Sequence, residues 1–468
     1  MSKIVLGGGI GGLSAAYYLR KKLPHEQIIL IEGSSRTGGW IKSSRQVEGY
    51  IFEQGPRTLR LQGPKGENTL KLIDELNLGS LIKPIPSNHP AAINRMIYAN
   101  GKLYSMPSSF WSIFKKTPPF SKPIVRYLLN DLTAPAKVIP ERDESIYSFA
   151  ERRFGKEIAD YAISPLICGI CAGDAKRVSV KFLMENLFDS EQRYGNISKG
   201  ILYEVLFARN RKPKVIETDL FKRAKKEKWS VYSLSDGLET LPMRLEQALR
   251  KNNVDIKLNL SCAAVEFYKS KVQIYTSSGD KILTNHLISS LPAHVLGNLL
   301  VGHTKLKQLL QSITCVNVCV INLHFKKKVL NTEGFGFLVP PKENIPILGV
   351  TFDSCCFPHG EGTVLTVMMG GYWFDKYFGN NPTESDLLQT ALNQIQTILG
   401  ISEKPDTHKI NILPNCIPQY VVGHNNKVDL INKYITANHL PLSLCGSSYY
   451  GVGINDVIMS AKNVIDNL

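Results

Sequence analysis

The stretch Lys3-Ile4-Val5-Leu6-Gly7-Gly8-Gly9-Ile10-Gly11-Gly12 decides the fold. Ile4-Val5-Leu6 is a short buried-strand pattern, and the glycines after it match G-x-G-x-x-G. Residues 13–23 carry alanines and leucines at helical spacing, and a second apolar run, 28–31, ends at Glu32. Strand, glycine turn, helix, strand and acid follow within about thirty residues, the order in which a dinucleotide-binding βα unit opens. Gly7 permits the tight turn, Gly9 lets the backbone approach a pyrophosphate, and Gly12 lets the helix pack close to the strand. Gly8, Ile10 and Gly11 complete a loop whose unpaired N–H groups and helix dipole face phosphates. Glu32, followed by Gly33, stands where an acid accepts hydrogen bonds from ribose hydroxyls. The strand begins at Lys3 with no basic, Ser-rich leader ahead of it, so no targeting peptide is expected.

The 468 residues carry 56 Lys+Arg against 40 Asp+Glu, a net charge of +16. A chain that is 43% hydrophobic and 21% charged can bury a core, which excludes disordered and collagen-like classes. Its length allows roughly two to four domains. No apolar run approaches the ~20 residues that a spanning helix needs. The longest candidate, 162–173, is interrupted by Pro165. Basic clusters at 209–214, 222–228 and 326–328 point either to a solvated face or to adhesion to an anionic surface. No zinc finger or RNA-recognition signature accompanies them, so anionic lipid is favoured and nucleic acid is not expected. Nine scattered cysteines do not form a disulfide framework. Cys168-x-x-Cys171 reads as two small buried residues. The histidines show no zinc spacing, so no metal site is expected.

Four residues past the acid comes Arg36-Thr37-Gly38-Gly39-Trp40. It resembles the R-x-G-G segment of the flavin amine oxidase and desaturase superfamily, where the chain runs past a second stretch of the same dinucleotide. That resemblance implies FAD, held without a covalent bond because the Ser-Gly-Gly-Cys attachment pattern is missing. At the other end, residues 442–446 form a short strand leading into Ser447-Ser448-Tyr449-Tyr450-Gly451-Val452-Gly453, and a helix is expected over 454–468. In the superfamily this segment lies along the flavin, so Ser447, Val452, Gly453 and Ile454 carry over as cofactor contacts. Asp236-Gly237-Leu238-Glu239 resembles the superfamily's GG-[LM]-x-x-L segment, with Asp236 replacing one glycine. Cys262 falls where the backbone meets the adenine. The FAD domain is therefore expected to be discontinuous, over 1–88, 226–295 and 408–468.

The remaining motifs are more specific. They are FEQGPR at 52–57, HPAAINR at 89–95, PPFSKP at 118–123, SPLICGICAG at 164–173, GFGFLVP at 334–340, NCIPQY at 415–420 and YYGVGINDVI at 449–458. Over nearly its whole length the chain resembles the protoporphyrinogen oxidase family. The resemblance implies an α/β fold with α+β elements in the p-hydroxybenzoate hydroxylase-like, amine-oxidase architecture. A Rossmann-like FAD-binding domain would be joined by a helical membrane-binding domain over 96–205. A mixed-sheet substrate domain would cover 89–95, 206–225 and 296–407. Gly55, Pro56, Arg57 and Thr58 join the cofactor contacts. The implied activity is the oxygen-dependent, six-electron oxidation of protoporphyrinogen IX to protoporphyrin IX with release of hydrogen peroxide, in haem biosynthesis. The implied setting is a homodimer on the intermembrane-space side of the mitochondrial inner membrane, with hand-over of product to ferrochelatase.

Arg95 is the expected propionate anchor, since a guanidinium fork matches a carboxylate bidentately. In the family, Leu338, Thr351 and Met368 match positions that sandwich the macrocycle, with Phe335 adding to that wall. Thr351 departs from the usual aliphatic residue. Gly169 matches a glycine near the reactive methylene, and Cys168 stands where a basic residue is frequent. Pyrrole nitrogens assist hydride loss, so a protein base is not required. A hairpin is expected around Asn100-Gly101, and helices over 142–155 and 182–187. The rival readings are a coproporphyrinogen-oxidising relative, an amine oxidase, a carotenoid desaturase and a flavin-free GDP-dissociation-inhibitor-like binder of prenylated proteins.

Overall fold

A computed structural model of the chain describes residues 2–46, 48–61, 63–136, 143–200, 203, 218–358, 360 and 362–468. The basic cluster at 209–214 and the start of the helix expected at 142 lie outside them. The chain divides into two compact units. The first comprises Met1–Pro86, Thr218–Thr314 and Asn425–Leu468; the second comprises Ser87–Glu217 and Cys315–His424.

The first unit is built on a parallel sheet in the order Leu442–Leu444, His286–Ser289, Ser2–Leu6, Gln27–Ile31 and Asp255–Lys257. Its central strands are apolar on both faces, as a parallel sheet covered on both sides requires. Ile4, Val5, Leu6, Leu30, Leu287 and Ile288 are all buried. Helices Ile10–Lys22 and Ile454–Asp466 meet near their first turns, where a Cβ on Gly11 would lie 3.2 Å from a Val457 methyl. An antiparallel set, Cys262–Tyr268, Lys271–Thr276 and Lys281–Thr284, adds Val265, Val272 and Ile274 to the same core.

The second unit is built on a seven-stranded mixed sheet. Its order is Thr407–Pro418, Cys315–Phe325, Thr363–Gly371, Ile347–Thr351, Gly336–Leu338, Arg95–Ala99 and Lys102–Ser105. Helix Glu384–Leu399 buries Leu387, Ala391 and Ile395 against one face, over Phe337, Val350, Val367 and Met369. Over the other face, Cys168 and Ala172, at the end of helix Ser164–Cys171, pack with Val318, Val320 and Leu348. Phe120, Tyr127 and Tyr161 cover Ile97 and Ala99 on that same face. Fully buried Arg153 ties the helical layer together through Asp131 and Glu191. Removing any one of these partners leaves an uncompensated buried charge, so the cluster fixes which helices pair.

Several local expectations shift. The hairpin forms at Asn100-Gly101, with both residues at positive φ (50° and 76°) as a two-residue turn of this kind demands. The helix expected over 142–155 runs Ile146–Phe154, because Ser145 caps it by accepting from Ser148 N–H. The helix expected over 182–187 is two, Val180–Leu183 and Glu185–Tyr194, interrupted at Met184. Boundaries move too. Strand Thr407–Pro418 pairs with Cys315–Phe325, so residues 408–424 belong to the second unit rather than with the FAD segments. Residues 218–225 and 296–314 belong to the first.

Candidate functional site

The glycine loop stands between strand Ser2–Leu6 and helix Ile10–Lys22. Gly7 has φ +97°, and a Cβ there would lie 2.7 Å from Ser290 Oγ. A Cβ on Gly12 would overlap the Gly7 carbonyl oxygen, so helix and strand can approach only because that position is glycine. Gly9 differs: its Cβ direction is open, with nothing nearer than Gly39 Cα at 3.9 Å. Gly9 is also the helix N-cap, and no side chain caps it. First-turn N–H groups of Ile10, Gly11 and Gly12 therefore look onto space that only main chain borders, and a diphosphate fits that cradle.

Glu32 ends strand Gln27–Ile31 beside the loop. Its carboxylate accepts from Gly8 N–H at 2.6 Å, and from Ser34 through N–H at 2.9 Å and hydroxyl at 2.7 Å. Leu260 N–H donates to the Glu32 carbonyl, and a Cβ on Gly33 would meet Ser261 Oγ at 2.7 Å. The chain leading into Cys262 thus runs alongside the acid, where an adenine end belongs. Burial pushes the Cys262 thiol up to about 11, which leaves its backbone as the useful contact.

The R-x-G-G segment lies directly on the glycine loop. Gly38 N–H donates to the Gly8 carbonyl at 2.8 Å, and Gly38 and Gly39 have φ +102° and +57°. Arg36 folds back into its own loop. It donates to the carbonyls of Thr37, Gly39 and Ile41 and pairs with Glu239 at 3.1 Å. Its role in this geometry is to shape the loop. Trp40 is half-exposed, and its carbonyl excludes a side chain at Gly55. Pro56 is exposed, Arg57 buried and Thr58 half-buried. Sequence reasoning missed the hub of this region. Glu53 accepts from Leu238 N–H at 2.7 Å and Ser43 Oγ at 2.7 Å, while Glu239 accepts from Ser43 N–H. FEQGPR and the Asp236–Glu239 segment contained both acids, but only the fold reveals that they share Ser43.

At the far end of the chain, Ser447 begins the short helix Ser447–Tyr450. Gly451 has φ +131°, Val452 is half-buried, and Gly453 is the N-cap of helix Ile454–Asp466, with Ile454 buried. Asp456 takes the Gly453 N–H at 3.1 Å. The first and last segments of the chain thus bring two helix N-termini together, both led in by glycine.

In the second unit, strand register assembles the remaining candidates. Partner residues in adjacent strands share a face. One row reads Arg95, Gly336, Thr351, Thr366, Asn322 and Lys409. The next reads Ile97, Leu338, Gly349, Met368, Val320 and Asn411. Arg95, Leu338, Thr351 and Met368 therefore lie on one face, in a polar row and a mostly apolar one. Arg95 is exposed, its guanidinium stands 5.9 Å over the Phe335 ring, and no carboxylate among the described residues pairs with it. Gly169 meets the same face: a Cβ on it would lie 3.0 and 3.2 Å from the Leu338 methyls. Gly349 is the second glycine against Leu338, at 3.1 Å. Cys168 is buried and burial pushes its thiol up, so it supplies no charge here.

Among the described residues no group of His, Cys, Asp and Glu could hold a metal. Main-chain cradles for a diphosphate and an acid for a ribose, on a parallel βα unit, define a dinucleotide-dependent oxidoreductase. The family model for flavin-containing amine oxidoreductases matches residues 10–466. The protoporphyrinogen oxidase of Bos taurus is 39% identical over 469 residues, covering 98% of this chain and 96% of the relative. The coproporphyrinogen III oxidase of Staphylococcus aureus is 26% identical, covering 98% and 97%. A crystal structure from Exiguobacterium sp. 255-15 shares the fold at a TM-score of 0.79, with 23% identity, covering 100% of this chain and 98% of its own. The chain belongs to the flavin-containing amine oxidoreductases, and within them to the protoporphyrinogen oxidases. FAD is its cofactor.

Proposed function

We propose that the protein oxidises protoporphyrinogen IX to protoporphyrin IX with dioxygen as acceptor and hydrogen peroxide as product. The observation that carries this reading is the sheet face: an exposed guanidinium without a carboxylate partner, beside a row of apolar side chains. A porphyrinogen is an apolar macrocycle with propionates, and that face offers one group for each part. Bound FAD supplies the hydride acceptor. Glu32, Gly9 and the first turn of helix Ile10–Lys22 would hold its ribose and diphosphate. The N-terminus of helix Ile454–Asp466 would face the flavin ring. Arg95 would bind a propionate bidentately and fix the ring's orientation. Leu338 and Met368 would exclude water from the reacting edge. The apolar row contains no titratable side chain, in keeping with a reaction in which ring nitrogens carry the proton traffic.

The same reading extends to location: a peripheral homodimer on the intermembrane-space side of the mitochondrial inner membrane, handing product to ferrochelatase. Among the described residues no helix is long and apolar enough to cross a membrane. Support for an anionic surface comes from Phe110, Trp111 and Phe114, all exposed and followed by Lys115 and Lys116. Helix Ile124–Thr133 adds exposed Leu128, Leu129 and Leu132. Aromatic and aliphatic side chains beside cations suit a lipid interface.

Purified protein should show a flavin spectrum. On aerobic addition of protoporphyrinogen, porphyrin fluorescence should rise well above autoxidation. Flavin without fluorescence would shift the reading to an amine oxidase. Replacing Phe110, Trp111 and Phe114 with Ser should abolish sedimentation with phosphatidylserine vesicles, and retained binding would remove that patch from the proposal.

A further inference from the structure

We propose that the hydrogen-bonded row Asn322–Thr366–Asp353 selects among porphyrinogens by presenting a fixed carboxylate opposite the propionate anchor. This inference rests on the function proposed above. Asn322 Nδ2 donates to Thr366 Oγ1 at 2.8 Å, and Thr366 donates onward to Asp353 Oδ2 at 2.5 Å. A hydroxyl has one proton, so accepting from Asn322 commits Thr366 to donating. The chain has one direction and ends on a carboxylate, which accepts only. Asn322 and Thr366 are fully buried, so the row is rigid.

Register sets its distance from Arg95. Gly336, Thr351 and Thr366 are successive partners across the sheet from Arg95. Three strand spacings are about 14 Å, on the scale of a tetrapyrrole's span from a propionate to its opposite edge. On protoporphyrinogen IX that opposite edge carries vinyl and methyl groups, which suit neighbouring Met368 and Val320. On coproporphyrinogen III it carries two further propionates. With its first pair held at Arg95, such a substrate would bring a carboxylate against Asp353. The same-row cation, Lys409, lies two strands beyond Thr366, about 10 Å farther. Discrimination here comes from a built-in repulsion rather than from an added attraction.

The test measures kcat/KM of the flavin-loaded protein on protoporphyrinogen IX and on coproporphyrinogen III. Wild type should prefer the dicarboxylate. Asp353→Asn keeps the shape and should raise the tetracarboxylate-to-dicarboxylate ratio at least tenfold, chiefly through KM for the tetracarboxylate. Asp353→Glu should restore the preference. A structural defect would lower both substrates together and leave the ratio still. If Asp353→Asn gives no soluble flavoprotein, Thr366→Val releases the carboxylate from its row and should raise the same ratio by a smaller factor. A ratio that stays within twofold in the variants that fold overturns the inference, as does a wild type that oxidises both substrates equally. Wild type inactive on both would instead sink the oxidase reading itself.

Discussion

In the first unit the binding surface is main chain, and in the second it is a row of side chains set by register. The glycine loop presents N–H groups at positions where any side chain would either clash or fill the cradle. The sheet face presents Arg95, Leu338, Thr351 and Met368, which come from four strands spread over more than half the chain. A main-chain site has local spacing and can be read from ten consecutive residues. A register site has none, because its neighbours along the sheet are strangers along the sequence.

Ways to break this contrast begin with the glycines. Gly12→Ala forces a Cβ into the Gly7 carbonyl and should cost about 3 kcal/mol through overpacking and backbone shift. The expected result is little soluble protein. Gly9→Ala meets open space, so that chain should fold with a near-normal Tm yet purify without flavin. Stoichiometric flavin in the Gly9 variant would show that the cradle is not where the diphosphate sits. The pair separates a glycine needed for packing from one needed for the ligand.

Arg95→Ala tests the side-chain surface. Losing a charge-assisted bidentate contact worth about 1.5–3 kcal/mol should raise KM for protoporphyrinogen roughly 10- to 100-fold. Flavin content should stay normal, since Arg95 belongs to the other unit; an unchanged KM would remove its anchor role. Gly169→Ala is milder. The Leu338 methyls must give by a few tenths of an ångström, so KM should rise only a few-fold and stability fall by about 1 kcal/mol. Replacement of Leu338 by Ala in the same chain should undo part of that rise.

The smallest effect concerns pH. His286, in the strand beside Ser2–Leu6, contacts Ser443 Oγ at 2.8 Å. Burial, aided by Lys3, lowers its pKa to about 4 from the ordinary 6.5. Its folded-state pKa is depressed, so the stability tied to the neutral ring is present above pH 6.5 and drains away as pH falls toward 4. Tm should drop between pH 7.5 and pH 5, and His286→Gln should show a smaller drop. An equal drop in both would assign the pH sensitivity elsewhere.

How far the sequence could be read follows from the same contrast. Gly7, Gly9, Gly12 and Glu32 announced their roles through spacing, and the structure gives each a geometric reason. Arg95 and Met368 were visible only through resemblance to a family. Periodicity alone would have made Met368 an ordinary core residue, and its partner-row mates Leu338 and Gly349 likewise. Thr366 and Asn322 were not singled out at all, because nothing within either strand distinguishes a polar residue facing a ligand from one facing core. The boundary near 408 was misplaced for a related reason: Thr407–Pro418 joins its sheet through Cys315–Phe325, about ninety residues earlier. Long-range pairing of this kind leaves no local mark.

The parallel sheet of the first unit has a consequence for synthesis. Its central strand Ser2–Leu6 emerges from the ribosome early, but the edge strand Leu442–Leu444 and helix Ile454–Asp466 emerge long after it. Until then a nascent chain exposes one unpaired edge of a hydrophobic sheet and half of a cofactor site. A stop codon a few dozen residues short of Leu468 would therefore be as damaging as one near the start. It would leave a long polypeptide with an open strand edge, a substrate for chaperones and proteases rather than for flavin.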